Sequence, residues 1–232
     1  MFELDLQYFG GRGGGSNLGN GSGKSIGIVD QVSVMLHYHD SDNAPYIDDM
    51  SQSASDMFNE FSEVRGLISD VTVATLTGAD KTNTLGFYDG STGVVSLNDN
   101  FTDIDKMNQV YDASIKSGYH PSRGNKSGTQ AVMYHELGHA LTDQIAKKLG
   151  ISGGVTYTAL DKAARLIVKA AYKATKGSGG TTAWAKGISG YATDSNAETI
   201  AEAVSDYFCN GNKAHTRSIA IVNEMKRLLK NA

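Results

Sequence analysis

The chain has 232 residues, with 25 acidic and 21 basic side chains, and therefore a formal net charge of −4 at pH 7. This acidic balance argues against nucleic acid as a partner, and no apolar run approaches the roughly 20 residues that a membrane-spanning helix needs. Hydrophobic residues make up 40% of the chain, which is enough for the core of one domain. The one cysteine, Cys209, excludes an intrachain disulfide, and we expect a buried, unreactive thiol.

Residues 10–27 are dominated by glycine, with serine and asparagine between. Such a composition cannot bury enough apolar surface to order itself, so we predict a flexible leader over residues 1–25 and one domain over residues 26–232. Residues 21–25 (GSGKS) resemble the end of a phosphate-binding loop, but Leu18 stands where the loop needs its first glycine. We therefore predict no nucleotide site.

The predicted secondary structure begins with a strand over residues 26–38, whose later part alternates apolar and polar side chains. His37 and His39 share one face of this strand, but no second ligand pair accompanies them, so we interpret them as solvated histidines. The later elements are predicted, in chain order, as a helix over 46–68, a strand over 71–76, a turn or short strand over 83–89, a strand over 93–98, a short helix over 104–111, and helices over 129–149, 160–175, 196–208 and 216–230. This order predicts an α+β domain with a small N-terminal sheet and a helical C-terminal half.

The most informative segment is the pattern H-E-x-x-H at residues 135–139, inside an apolar helical run. Residues four apart lie one turn apart on the same helix face, so the imidazole nitrogens of His135 and His139 can bind one metal ion. Glu136 lies beside them, where its carboxylate can reach a water bound to that metal. Zinc held by two histidines beside a carboxylate base is the arrangement of metal-assisted peptide hydrolysis.

The surroundings of the motif favour a buried helix. Apolar residues recur at helical spacing, and Thr129 is positioned to cap the helix start. Gly138 costs helix propensity, which suggests that another chain segment passes close to it. The alternative is a surface helix turn that carries two histidines without a metal.

A catalytic zinc ion usually takes three protein ligands, so the motif requires one more residue. Asp143 lies on the same helix, which cannot easily wrap one ion from three of its own turns, and we expect Asp143 to orient a histidine instead. Glu198 and Glu202 share a face of the predicted helix 196–208, where zinc would satisfy Glu198 and the N–H of a ligand histidine would satisfy Glu202. The alternative is that Glu198 merely forms a capping box with Ser195.

The two segments together resemble the metallopeptidase domain of anthrax lethal factor and its phage-borne relatives, which are gluzincin-type zinc peptidases. The chain has H-E-L-G-H at residues 135–139, Tyr191 seven residues before Glu198 (198 − 191 = 7), and Ala-Glu-Ala at residues 201–203. The family's asparagine three residues before the glutamate is replaced by Ser195, and its aromatic pair after the glutamate is replaced by Thr-Ile. The second replacement leaves the site intact but alters its packing.

This resemblance implies a zincin-like fold in which His135, His139 and Glu198 hold zinc. Glu136 would activate the water as the general base, and Tyr191 would donate its hydroxyl to the developing oxyanion. Family members also hold an extended peptide substrate along an edge strand beside the zinc. Our candidate for that strand is the segment formed by Val94, Val95, Ser96, Leu97 and Asn98.

Residues 4–13 are similar to the start of many tailed-phage minor head proteins, which implies a phage or prophage origin. The acidic first residues also lack the pattern of a signal peptide, so we expect the protein in the bacterial host cytoplasm or in the virion. The function predicted first is a zinc-dependent endopeptidase that acts on a peptide or protein substrate. The alternatives are a virion structural (minor head) protein, which joins other phage structural proteins and keeps the zinc-binding fold without catalysis, and an exported effector with the same chemistry.

Overall fold

The computed structural model describes residues 22–29, 32–38, 45–62, 70–76 and 80–231. These residues form a mixed α+β arrangement that is mostly helical, so the predicted α+β class is confirmed. The strands and helices are, in chain order, β1 (Ser22–Val29), β2 (Val32–Tyr38), α1 (Pro45–Glu60), β3 (Asp70–Ala74), α2 (Asp80–Asn83), β4 (Gly86–Asp89), β5 (Val94–Asn98), α3 (Ile104–Lys116), α4 (Gly128–Lys148), α5 (Ala159–Ala174), α6 (Gly180–Ala185), α7 (Asn196–Asn210) and α8 (Thr216–Asn231). No helix among these residues combines the length and the hydropathy needed to cross a bilayer.

The strands form one sheet in the order β1-β2-β3-β5-β4, in which β2, β3 and β5 are parallel and the two outer pairs are antiparallel. The prediction that Val94–Asn98 is an edge strand is therefore wrong, because β5 lies between β3 and β4 and bonds to both. Among the described strands, β1 and β4 form the two edges of the sheet, and β4 is the edge strand beside β5. A strand pattern reveals that a segment is extended, whereas strand order depends on the turn at residues 90–93, which folds β5 back onto β4.

The N-terminal part of the sheet differs from the predicted single strand over 26–38. Two antiparallel strands occupy this region, and Ser22 pairs with Tyr38 while Ser25 pairs with Met35. Residues 22–25, the end of the predicted leader, thus belong to β1, where backbone pairing does not depend on apolar side chains. The rest of that leader, His39 and the side chain of His37 lie outside the described residues.

Helix α4 occupies the centre of the domain and carries the H-E-x-x-H motif. It packs against α1, α3, α5 and α7 and also against β4 and β5, and it is buried from Gly128 to Asp143. The helix begins with a capping box in which Ser127 accepts from the backbone N–H of Gln130, and the Gln130 side chain accepts from the backbone N–H of Ser127. The predicted cap, Thr129, instead lies buried in the first turn.

The other helices lie close to their predicted positions, with four differences, one of which is the short helix α2, absent from the predicted elements. Helix α1 ends at Glu60, and residues 63–68 of the predicted helix lie outside the described part of the chain. Helix α3 extends to Lys116, beyond the predicted end, and α6 is an additional short helix. Cys209 is buried and burial raises the pKa of its thiol to about 12, in agreement with the predicted unreactive thiol.

Gly138 is a point of close approach between α4 and α7. A Cβ atom at this position would lie 3.1 Å from Cα of Ala201 and 3.1 Å from Cβ of Val204. These distances are shorter than ordinary van der Waals contact, so a side chain here would push the two helices apart. The predicted passage of another segment beside Gly138 is therefore confirmed.

Replacing Gly138 with leucine should lower the free energy of unfolding by about 1–3 kcal/mol or more, because overpacking forces the core to shift. Chemical denaturation monitored by circular dichroism measures this change. The control is Arg165→Leu, because Arg165 is exposed on α5. This substitution should change the free energy of unfolding by less than about 0.5 kcal/mol. A Gly138→Leu protein as stable as the parent would contradict the tight contact between α4 and α7.

Candidate metal centre

Two helices supply the polar side chains of the candidate site. Helix α4 contributes His135, Glu136 and His139, and α7 contributes Glu198 and Glu202. All five side chains are buried. Because burial of ionisable groups is costly without partners, their mutual contacts determine whether the arrangement is stable.

The three predicted ligand residues converge through single atoms. Nε2 of His135 lies 3.1 Å from Oε2 of Glu198, and Nε2 of His139 lies 3.5 Å from the same oxygen. The two Nε2 atoms are 3.2 Å apart. His135, His139 and Glu198 therefore lie close enough together to bind a metal ion.

The spacing of these atoms can be compared with known coordination geometry. Zinc bonds to nitrogen and oxygen of about 2.0–2.1 Å in a tetrahedral site place neighbouring ligand atoms about 3.3 Å apart. The observed separations of 3.1, 3.2 and 3.5 Å bracket that value. Oε2 of Glu198 is also buried, and the Nε2 atoms of the two histidines are its close neighbours.

The charges of the candidate site favour a cation. Burial acts to raise the pKa of Glu198, but the neighbouring His139 and His135 outweigh it and hold this pKa at about 2. Burial acts to lower the pKa of His135, but Glu198 and Glu202 outweigh burial and raise it well above its ordinary value. Without a metal the site therefore holds ionised carboxylates that attract positive charge, and a metal ion can supply that charge.

Glu202 makes the contact that was predicted for it. Its Oε1 lies 2.9 Å from Nδ1 of His135, so this candidate ligand histidine donates its Nδ1–H to the carboxylate. Burial would raise the pKa of Glu202, but His120 and His135 hold it at about 2. Ser189 donates its hydroxyl to Oε2 over 2.7 Å. His120 and Ser189 were not among the predicted site residues, because they lie in loops without a recognisable motif.

Glu198 also takes part in the cap of α7. Its backbone N–H donates to the hydroxyl of Ser195 over 3.1 Å, as the capping alternative requires. The carboxylate of Glu198, however, faces His135 and His139, so only the backbone half of the capping box is formed. The same residue thus helps to cap the start of α7 through its backbone and reaches the site through its side chain.

Glu136 lies against the edge strand of the sheet. Its carboxylate accepts a hydrogen bond from the backbone N–H of Tyr88 on β4, and burial raises its pKa to about 8. Gly86 permits this approach, because a Cβ atom there would lie 2.8 Å from Cγ1 of Val132 and 3.3 Å from Cγ of Glu136. The edge strand β4 therefore runs directly beside the Glu136 carboxylate.

The prediction that Asp143 orients a histidine is wrong. Its carboxylate accepts a hydrogen bond from the Tyr88 hydroxyl over 3.0 Å and forms an ion pair with Lys147, also at 3.0 Å. Asp143 lies one turn beyond His139, where the Tyr88 side chain crosses from β4 to α4. It therefore joins the edge strand to the motif helix, a contact that depends on chain packing and not on helix spacing.

Tyr191 lies next to the candidate site. Its ring is buried and stacks on the ring of His135, with centroids 5.9 Å apart and an interplanar angle of 19°. Its backbone N–H donates to the carbonyl of Tyr119 over 3.0 Å, which fixes the short helical turn at Tyr191–Thr193. The structure therefore brings this predicted residue to the ligand histidine.

Of the predicted site residues, the structure brings together His135, Glu136, His139, Tyr191, Glu198 and Glu202. It places Asp143 and β5 in other roles. Comparisons of the chain with protein-family models, with curated proteins and with solved structures gave no match. The side chains of this site therefore provide the basis for a functional interpretation.

Proposed function

We propose that this protein is a zinc-dependent endopeptidase with a zincin-like fold, as the resemblance to the lethal factor metallopeptidase domain implies. The observation that carries the proposal is the convergence of two Nε2 atoms and one carboxylate oxygen at 3.1–3.5 Å, with Glu136 next to them. Three protein ligands leave one coordination position for water or substrate, which distinguishes a catalytic zinc site from a four-ligand structural one.

The donor set supports zinc over calcium and magnesium. Two imidazoles with one carboxylate suit zinc, whereas calcium and magnesium prefer sites made of oxygen atoms. When bound, zinc would polarise a peptide carbonyl and lower the pKa of a bound water from about 15.7 toward about 7. His135, His139 and Glu198 would hold the ion, and Glu202 would keep Nδ1 of His135 protonated so that its Nε2 faces the metal.

Glu136 would act as the general base. Its carboxylate follows His135 on α4 and is buried beside the converging atoms, so it can accept the proton of the attacking water. It would later deliver that proton to the departing amine. The hydrogen bond from the Tyr88 N–H would keep the carboxylate oriented between these two steps.

Tyr191 would donate its hydroxyl to the oxyanion that develops on the peptide carbonyl. Its ring stacks on His135, which supports a position beside the reacting atoms. Tyr191→Phe should lower the turnover number about 100- to 1000-fold, the usual effect of removing one oxyanion donor, and should leave the zinc content unchanged. Steady-state kinetics with a quenched fluorescent peptide measure this effect.

The matched control for Tyr191 is Tyr207→Phe. Tyr207 lies on α7, and its hydroxyl bonds to Glu60 over 3.2 Å, away from the candidate site. This control should retain the activity of the parent protein. Equal activity of the Tyr191→Phe protein and the parent would remove Tyr191 from the mechanism.

The edge strand β4 replaces β5 as the proposed peptide-binding strand. The backbone N–H of Asn98 donates to the carbonyl of Leu85 over 3.0 Å, so in the antiparallel pairing the backbone polar groups of Gly86 and Tyr88 point away from β5. The Tyr88 N–H meets Glu136, and the peptide would bond to the other groups of this edge. An extended peptide would align along this edge, beside Glu136. The proposed substrate is therefore an unfolded or exposed segment of a protein. We propose phage structural proteins as the proteins that carry this segment.

The proposal is tested by digestion of a peptide library with the full-length protein. We expect cleavage that stops on addition of 1,10-phenanthroline and returns on addition of zinc. Absence of cleavage throughout the library, by protein that carries zinc, would support the alternative of a virion structural protein that keeps the metal site for its architecture. Cleavage that persists without metal would contradict the proposed mechanism.

A further inference from the structure

His120 is a buried histidine outside the H-E-x-x-H motif, in the loop between α3 and α4. Its ring stacks on Tyr111 with centroids 5.2 Å apart and contacts the edges of Tyr119 and Tyr191. Nδ1 of His120 lies 3.1 Å and 3.2 Å from the two carboxylate oxygens of Glu202. His120 therefore reaches the metal centre through Glu202 and not directly.

Glu202 is the point at which three donors meet. Oε1 accepts from Nδ1 of His135 over 2.9 Å, Oε2 accepts from the hydroxyl of Ser189 over 2.7 Å, and His120 spans both oxygens. An ionised carboxylate only accepts hydrogen bonds, so both histidine Nδ1 atoms must carry protons. The contacts fix the rotation of the carboxylate and with it the direction in which the His135 ring presents Nε2.

Two backbone hydrogen bonds join the loop that carries His120 to the loop that carries Ser189. Gly190 donates its N–H to the carbonyl of Gly118 over 2.8 Å, and Tyr191 donates to Tyr119 over 3.0 Å. These bonds join the residues next to His120 to the residues next to Ser189. The two side chains therefore approach Glu202 from loops that are far apart in sequence but fixed to each other.

The polar contact explains why a histidine occupies this aromatic cluster. Nε2 of His120 is buried without a hydrogen-bond partner among the described residues, and such a buried polar atom costs about 1–3 kcal/mol. Phenylalanine would fill the same space beside Tyr111 without that cost. The contact with Glu202 requires a hydrogen-bond donor at this position, which the Nδ1 of histidine supplies and phenylalanine lacks.

We infer that His120 is a positioning residue of the metal centre, which fixes Glu202 so that Glu202 holds His135 with its Nε2 toward Glu198 and His139. This inference rests on the proposed metal site. Outer partners of metal ligands commonly affect metal affinity by 10- to 100-fold. We therefore assign an effect of that size to the contact between His120 and Glu202.

The test compares His120→Phe with His120→Asn in the full-length protein. Phenylalanine keeps an aromatic ring but removes the donor, whereas the asparagine amide nitrogen occupies the place of Nδ1 and can donate to Glu202. Competition with a chromophoric chelator measures zinc affinity. We expect His120→Phe to bind zinc about 10- to 100-fold more weakly than the parent, and His120→Asn to recover most of that loss.

A second measurement does not require metal. In the metal-free protein, the Nδ1 proton of His135 should be visible by NMR and exchange slowly with water in the parent and in His120→Asn, and rapidly in His120→Phe. Thermal unfolding of the metal-free variants reports their general stability. Ser189→Ala, which removes the other loop donor, should weaken zinc binding in the same direction, and it provides a usable variant if His120→Phe does not fold.

The outcomes separate the two proposals. If the parent binds zinc and His120→Phe binds it equally tightly, the role of His120 is overturned while the proposed function stands. Equal losses of affinity in His120→Phe and His120→Asn, matched by equal losses of metal-free stability, would show a purely structural role. If the parent binds no zinc, the proposed function fails, and unchanged exchange of the His135 proton in all variants would overturn the role of His120 as well.

Discussion

Replacing His139 with alanine should leave the purified protein without zinc, whereas the unaltered protein should carry about one zinc ion per chain. The substitution removes one of three atoms that converge at 3.1–3.5 Å, and His135 with Glu198 alone forms an incomplete site. Elemental analysis of dialysed protein measures the zinc content. This substitution should have the largest effect of any on metal binding, because no other described side chain is positioned to replace His139.

Thermal unfolding provides an independent measure of the same loss. A ligand that binds only the folded state stabilises it by about 2.7 kcal/mol when its concentration is 100 times its Kd. Added zinc should therefore raise the unfolding temperature of the parent protein and leave that of His139→Ala unchanged. The control is His215→Ala, since His215 is exposed and bonds to the backbone N–H of Arg217. Retention of zinc by His139→Ala would disprove the assigned ligand set.

Replacing Glu136 with glutamine should abolish peptide cleavage and preserve zinc binding. Glutamine has nearly the same size, and its amide oxygen can still accept the hydrogen bond from the Tyr88 N–H. It cannot take up a proton, and loss of a general base typically lowers the rate about 100- to 10,000-fold. Turnover of a peptide substrate and the zinc content of the same preparation measure the two effects.

The His139 and Glu136 substitutions together distinguish an enzyme from a structural metal protein. In an enzyme, His139→Ala loses both zinc and activity, whereas Glu136→Gln loses only activity. In a structural protein, the parent already lacks activity, and Glu136→Gln differs from it in no catalytic measurement. Cleavage by Glu136→Gln at the parent rate would show that another group removes the proton.

The sequence by itself determined the candidate ligand residues on α4. The spacing of His135 and His139 places both on one helix face, and that relation depends on helix geometry alone. It also predicted Glu198 and Glu202 as a pair on a second helix, and the structure brings both to the histidines. Local periodicity likewise predicted most helices and the α+β class. A helix or strand that buries one face must carry apolar residues at its own structural repeat, and this repeat is visible in the sequence.

The tertiary structure alone decided which elements lie side by side. The edge position of β4, the contact between Asp143 and Tyr88, and the approach of His120 to Glu202 all join residues distant in the chain. Sequence periodicity cannot predict such pairs, because they depend on how the loops close and on how α4 packs against α7 and the sheet. The sequence thus determined which side chains could bind a metal, and the packing of the two helices decided that three of their atoms meet at one point.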